Sequence, residues 1–377
     1  MLTLIHDLVT FAPVGIPAFL FVIGVIIFVH EFGHFLVARA CGVGIKTFSI
    51  GFGGEIFGWT DKKGTRWKVS WLPLGGYVMF EGDANAASTP DAEAVAKMTA
   101  EQKKRALPLK PLWQRAAVAA AGPLANFVLA FVVFTLLFAI SGARAPGTNI
   151  GSIQDKSPAA EAGMKPGDKI TAVDGKSVKL FYPDLTDAIQ GSDAKTLRLT
   201  IERAGEIRNF QVTPRVLSIK DIFGAEHQYR AIGVGLDEVN TDKYVTIPIP
   251  WTRAPVAAAV QCYGIVDMSL TYLWRIVSHR ADASQLGGPI RIAGVAKSAA
   301  SHGFYQLVWL IAVISVSIGL INLFPIPLLD GGHLLYYACE GILGRPLTER
   351  TQDVGFRFGL ALVIGLMIFA TWNDLVR

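Results

Sequence analysis

Uncharged stretches dominate the hydropathy pattern of this chain. Residues 8–29 give 22 positions without Asp, Glu, Lys or Arg, 116–143 give 28, 298–329 give 32, and 358–373 give 16. A helix needs about 20 apolar residues to cross the hydrocarbon core. The first three runs meet that length, and the fourth meets it if Arg357 snorkels to a headgroup. The pattern predicts four spanning helices near 13–40, 114–141, 304–328 and 354–373. The stretch 254–280 is also apolar, but Asp267 sits inside it and Arg275 and Arg280 follow. It is expected to lie in the interface as an amphipathic helix.

Between these runs the period changes. Residues 147–215 are charged and turn-rich, with strand alternation at 169–173, 196–202 and 209–213. Turn signals stand at Lys165-Pro166-Gly167-Asp168 and Asp174-Gly175, so a small soluble α/β domain is expected there. Residues 55–60 and 66–71 read as strands around the turn Asp61-Lys62-Lys63-Gly64. The surrounding segment, 48–82, is rich in aromatics and glycine, which fits either association with the membrane or an ordinary exposed hairpin. Residues 84–110 are polar and Ala-rich and read as a mobile connection.

Composition agrees with the runs. Hydrophobic residues are 51% of the 377 and charged residues 17%, well under the ~25% usual in soluble domains. That excludes a disordered chain. A net charge of +5 is too mild to imply a nucleic-acid partner. Cys41, Cys262 and Cys339 are too few and too scattered for a disulfide framework or a Cys-based zinc site. The start of the chain has neither a basic n-region nor an A-x-A site, so no cleaved signal peptide is expected.

The placement of Lys and Arg sets orientation. Residues 1–12 carry none, whereas 95–115 carry Lys97, Lys103, Lys104, Arg105, Lys110 and Arg115, and the last loop carries Arg345 and Arg350. The 41–112 loop and the last loop are therefore expected in the cytoplasm, with both termini and 142–303 outside.

The candidate chemistry starts at His30-Glu31-Phe32-Gly33-His34. Four residues of helix put the two imidazoles on one face, about 6 Å apart along the axis. That spacing suits two nitrogen ligands on one Zn²⁺, with Glu31 beside them to take a proton from water. Zinc lowers the pKa of such a water toward roughly 7. Two histidines and a glutamate at the end of a spanning run are costly unless they have partners and a task.

A catalytic zinc normally takes a third protein ligand. Asp330 is the first charge after the third run, and both the first and third runs are expected to cross from outside to inside, so its depth matches that of the histidines. His333 and Glu340 are the rival ligands. Pro325 and Pro327 cannot continue a helix, and broken backbone at that depth is tolerated beside a walled cavity. Asn322 is placed either to hydrogen-bond a peptide in that cavity or to bond between helices.

With HEFGH in the first span and NLFPIPLLDGG (322–332) in the third, the chain resembles the site-2 protease family of intramembrane zinc metalloproteases, nearest to bacterial RseP-type members. The pattern SPAAEAG…GDKITAVDG, from Ser157 to Gly175, resembles a bacterial PDZ domain. Gly51-Phe52-Gly53 and Gly288-Pro289-Ile290 belong to the same resemblance, which covers nearly the whole chain. It implies a polytopic α-helical membrane protein with four transmembrane helices, an inserted PDZ-like α/β domain and a membrane-associated β hairpin. The implied order is 1–41, first helix with HExxH; 42–112, cytoplasmic loop with the hairpin at 48–82; 113–142, second helix; and 147–215, extracytoplasmic PDZ domain. Then come 216–303, a linker with a β segment and the interfacial helix; 304–330, third span; 331–353, cytoplasmic loop; and 354–377, fourth helix. Only one PDZ signature is present, where some RseP-type members carry two.

The resemblance implies Zn²⁺ on His30, His34 and Asp330, Glu31 as catalytic base, and substrate binding at Asn322, Pro325, Pro327 and Gly331. It implies that the hairpin pairs with an unwound substrate strand. Substrates would be single-span membrane proteins already trimmed outside, such as anti-sigma factors or signal-peptide remnants. The PDZ domain would take a peptide or substrate domain. The setting would be the bacterial inner membrane, with the active site near the cytoplasmic side. The competing class is a catalytically silent PDZ-bearing membrane receptor, which need not bind zinc stoichiometrically.

Overall fold

The computed structural model describes residues 2–83, 92–192, 194–220, 226–236, 244–280, 283 and 287–376. It divides into two units, Met1–Leu136 with Pro255–Thr271 and Ala283–Arg377, and Leu137–Ala254 with Tyr272–Asp282.

Helix α1 (Leu2–Ala40) carries the first apolar run straight through the His-Glu-His motif. It stops where Gly42 enters the left-handed region, with Val43 N–H bonded back to Ala38. Strands β1 (Ile45–Thr60) and β2 (Arg66–Phe80) follow around the expected turn. They do more than form a hairpin. Residues 55–60 pair antiparallel with 66–70, but 47–50 lie between 66–69 on one side and 76–79 on the other. The ribbon is folded over on itself. Gly51 permits this: its φ is +89°, and a Cβ there would stand 2.8 Å from Leu72 O. The inner face packs Phe48, Val78 and Phe80 against Phe35 and Ala38 of α1.

Helices α2 (Ala92–Lys97) and α3 (Ala100–Arg105) come next. The mobile connection expected at 84–110 thus contains two short helices, and its 84–91 part lies outside the described residues. Helix α4 (Leu112–Ser141) carries the second run and lies antiparallel to α1. Gly33 makes the approach possible, since a Cβ there would meet Ala125 Cβ at 2.7 Å.

The second unit holds strands β3 (Ala143–Pro146) and β4 (Ile150–Ile153) and helix α5 (Pro158–Glu161). Strands β5 (Lys169–Val173) and β6 (Lys176–Ser177) and helix α6 (Thr186–Gln190) follow. The rest is β7 (Leu197–Arg203), β8 (Glu206–Val212), β9 (Arg215–Lys220), β10 (Glu226–Ala231), β11 (Val234–Leu236) and β12 (Tyr244–Ile247). Its main sheet has the order β6-β5-β7-β8. The core of Ile150, Ile170, Leu197, Leu199 and Ile201 also takes in Ile232, and β11 pairs with β4. Packing therefore runs past residue 215. A strand whose partner is so distant in sequence, as Val234 is from Ile153, leaves no local signal of its membership.

Buried Asp168 ties the start of β5 to β7. Both its oxygens accept from Arg203, at 2.6 and 2.7 Å, and Oδ2 also accepts from Lys165 N–H at 2.8 Å. Burial works against the charge, but these donors outweigh it and hold the carboxyl below its ordinary value of 3.8. A depressed folded value stabilises the fold above the unfolded value, and that contribution is lost as pH falls through the folded one. Acid should therefore loosen this domain below about pH 4. In Asp168→Asn the loss should already be present at neutral pH, at about 2–3 kcal/mol, because Arg203 loses its charged partner. Hydrogen exchange of β5 and β7 amides against pH measures it, and identical profiles in wild type and variant would refute the assignment.

Helices α7 (Ala254–Val277), α8 (Pro289–Ser301), α9 (Phe304–Asn322), α10 (Asp330–Leu343) and α11 (Glu349–Val376) complete the chain. Helix α9 packs Ile311 on Val22 and Ile26 of α1. It ends at Asn322 because Pro325 has no N–H to continue the ladder and forces Phe324 out of the helical region. The Gly288-Pro289-Ile290 motif starts α8, whose first N–H groups, from Gly288 and Arg291, donate to Asp374 of α11 at 2.9 and 3.0 Å. Among the described residues, five helices are long and apolar enough to cross a membrane: Pro13–Ala40, Leu112–Ser141, Ala254–Val277, Phe304–Asn322 and Arg350–Val376, of which Ala254–Val277 is the least apolar.

Candidate metal centre

His30 and His34 face one way from the C-terminal part of α1, and Asp330 opens α10. His30 Nε2 lies 3.1 Å from Asp330 Oδ2, His34 Nε2 lies 3.4 Å from Asp330 Oδ1, and the two Nε2 atoms are 3.3 Å apart. Among the described residues, these three form a group whose candidate ligand atoms all lie within 4.8 Å of one another. All three are largely buried, with side-chain exposures of 11% for the histidines and 17% for Asp330. His333 lines the neighbouring cavity but is outside the group. Glu340 is engaged elsewhere, by Arg115.

The far side of each imidazole is held by α4. His34 Nδ1 is 2.8 Å from Val118 O, and a carbonyl only accepts, so Nδ1 carries the proton and Nε2 presents its lone pair to the cluster. His30 Nδ1 is 3.2 Å from the Asn126 carboxamide, whose buried Oδ1 has no partner among the described residues. Turned over, that carboxamide gives Oδ1 to a His30 Nδ1–H and both histidines take the same tautomer. Two lone pairs and a carboxylate then converge with backbone and amide support behind them, which is the donor set of a zinc site. Gly122, one turn from Val118, borders the group, and a Cβ there would stand 2.8 Å from His30 Nε2 and overlap His34. Asn126 and Gly122 escaped the sequence reading. Their signal was a lone Asn four residues after a Gly within an apolar run.

Glu31 faces the edge of β2. Its carboxylate lies close to Val78 N–H, and a Cβ on Gly76 would press on Glu31 Cγ at 3.0 Å. A cavity of 440 Å³ joins the cluster to Phe52, Gly76, Tyr77 and Val78 on one side and to Asn322, Leu328 and His333 on another. Asn322 therefore opens onto the site. Pro325, Pro327 and Gly331 are not part of that lining. The prolines make the break between α9 and α10, where Leu328 takes φ +104°. Gly331 is buried, and a Cβ there would collide with Leu323 O and Phe324 O.

The folded ribbon is fixed to α1 below the site. Arg39 donates to Asp61 Oδ2 and to Thr65 Oγ1, both at 3.0 Å, and Asp61 Oδ1 accepts from Lys63 and Thr65 N–H. The turn at 61–64 is thus tied to the end of α1, and the 76–80 edge beside Glu31 is held by its pairing with residues 45–50.

The chain matches the model of peptidase family M50 over residues 18–366. It is 42% identical over 360 residues to a candidate zinc metalloprotease of Agrobacterium fabrum, covering 96% of this chain and 95% of that one. With a similar candidate of Mesorhizobium japonicum it shares 44% over 362 residues, 95% and 97% of the two chains. With the metalloprotease MmpA of Caulobacter vibrioides it shares 38% over 380 residues, 95% and 94%. Among solved structures, the PDZ domain of an SdrC-like protein of Listeria innocua aligns with 24% of this chain and 94% of its own, at 22% identity and a TM-score of 0.20. A family model spanning His30 through Asp330 and relatives matched almost end to end give the conclusion that this chain belongs to peptidase family M50.

Proposed function

We propose that the protein is an intramembrane zinc metalloprotease that cuts peptide bonds within transmembrane segments of single-span proteins already trimmed outside the membrane. The observation that carries this reading is the convergence of His30, His34 and Asp330 beside Glu31, in a cavity bordered by a strand edge. His30, His34 and Asp330 hold Zn²⁺, which when bound supplies Lewis acidity to a peptide carbonyl and to water at neutral pH. Glu31 takes the proton from the attacking water and passes it to the departing amine. Residues 76–80, whose outer edge has no second strand among the described residues, hydrogen-bond an extended substrate segment. A helical substrate hides its amides, so this edge supplies the partner that unwinding requires. Asn322 donates to the bound peptide, while Pro325, Pro327 and Gly331 shape the break that makes room for it.

The four-span reading with α7 in the interface is supported by direction. Helices α1 and α9 both run toward the cluster with their C-terminal ends, and α4 runs the other way. One crossing between α1 and α9 is compatible with that, and two are not. With Lys and Arg concentrated at 95–115, the site faces the cytoplasmic side of a bacterial inner membrane. The 147–236 domain, read as PDZ-like, lies outside, where it meets a substrate's outer domain or a peptide.

Purified protein in detergent, given a tagged single-span reporter, should cleave it and should contain one zinc per chain. A wild-type protein with no zinc and no cleavage would overturn the proposal. Asn126→Leu should fold but lose zinc about 10–100-fold more readily, as when a supporting hydrogen bond behind a ligand is removed. Asn126→Asp, which keeps an acceptor for His30 Nδ1–H, should recover most of the loss in a chelator competition.

A further inference from the structure

The first turn of α4 and the last turn of α10 are joined by a charged pair that the chemistry above does not use. Arg115 Nη1 and Nη2 donate to the two oxygens of Glu340 at 2.8 and 2.6 Å. Arg115 Nε donates to Lys110 O at 3.0 Å, and the guanidinium stacks 5.1 Å from the Tyr337 ring centroid. Both side chains are well covered, at 14% and 17% exposure. Burying such a pair brings little net stability, because desolvation offsets the attraction. Its two-pronged geometry does fix how two helices sit against each other.

The two joined helices carry opposite halves of the metal site. Three residues after Arg115, Val118 O accepts from His34 Nδ1–H, and Asn126 stands behind His30. Ten residues before Glu340, Asp330 begins α10. Between Asp330 and α9 the chain is broken at Pro325 and Pro327, so α9 alone does not dictate where Asp330 points. Gly331 and Gly332 set α10 against that break with no side chain to key its rotation.

We propose that Arg115 and Glu340 are positioning residues of the metal centre: their ion pair locks α10 to α4 and so holds the Asp330 carboxylate in line with the His30 and His34 nitrogens. This rests on the zinc reading given above. It also gives a role to Glu340, a carboxylate of the same helix that stands about 15 Å along the axis from Asp330 and so is not a ligand.

The test is the rate at which full-length protein in detergent loses zinc to excess chelator, read with a chromogenic indicator. Arg115→Ala and Glu340→Gln should release zinc about 10–100-fold faster than wild type. Arg115→Lys keeps the charge but not the fork and should fall between. The exchange Arg115→Glu with Glu340→Arg should return the rate to within a few-fold of wild type. Reporter cleavage by zinc-loaded Arg115→Lys should show a lowered kcat with KM near wild type, since the substrate edge at 76–80 is untouched. Should the alanine variant fail to fold, Arg115→Lys and Glu340→Gln decide, their helicity checked by circular dichroism. Folded variants that hold zinc as tightly as wild type overturn the proposal. A wild type without stoichiometric zinc overturns the metalloprotease reading instead, so the two failures are told apart.

Discussion

Glu31→Gln should abolish detectable cleavage while zinc content stays at the wild-type level. The variant separates base from ligand because of where Glu31 sits. It is next to His30 in sequence but is not one of the three residues whose ligand atoms converge. Its side chain lies against the β2 edge, beside Gly76 and near Val78 N–H. Glutamine keeps the length and keeps an acceptor for Val78, so the sheet beside the site should not move. What it lacks is a group able to hold a proton between the attacking water and the leaving amine. Positioned general bases contribute about 10²–10⁴-fold, so a loss of that size in kcat is expected. Substrate binding should be nearly unchanged. Reporter cleavage and metal analysis on the same preparation check both halves, and full turnover by Glu31→Gln would remove Glu31 from the chemistry.

The sequence made the spanning helices and two of the three clustered residues readable because both are local patterns. The uncharged run at 8–29 and the four-residue spacing of His30 and His34 need no knowledge of the fold. Asp330 was reachable by a longer route, through charge placement and the direction of each span, and the structure puts its oxygens 3.1 and 3.4 Å from the two imidazoles. The hairpin turn at 61–64 was legible from its Asp and Gly. The fold-over of β1 between both ends of β2 was not, since pairing of 47–50 with two separate segments depends on Gly51 and on a surface supplied by α1. Val118, Gly122 and Asn126 were invisible for a related reason. Each is an ordinary helix residue until α4 is laid antiparallel on α1, and only then does a backbone carbonyl or a missing Cβ become part of the site.

Asp330→Asn should lose metal and activity together, in contrast to Glu31→Gln. Both carboxylate oxygens face the histidine nitrogens, and the group is largely buried, so no water-borne charge replaces it. The amide brings one oxygen, no charge and an NH₂ group that presents protons to the cation. Zinc affinity should fall at least as far as the ~10–100-fold cost of disturbing a residue behind a ligand. The fold should survive, since Asp330 is the first residue of α10 and Asn is well tolerated at a helix start. Excess zinc should then restore part of the activity of Asp330→Asn, whereas it should restore none to Glu31→Gln, whose metal was never lost. Equilibrium dialysis against zinc, followed by reporter cleavage at each free-metal level, separates the two behaviours. His333→Ala serves as the control, because His333 shares the cavity but not the ligand group. If Asp330→Asn kept its zinc and His333→Ala lost it, the third ligand would be His333, and the arrangement of α10 over the two histidines would have another purpose.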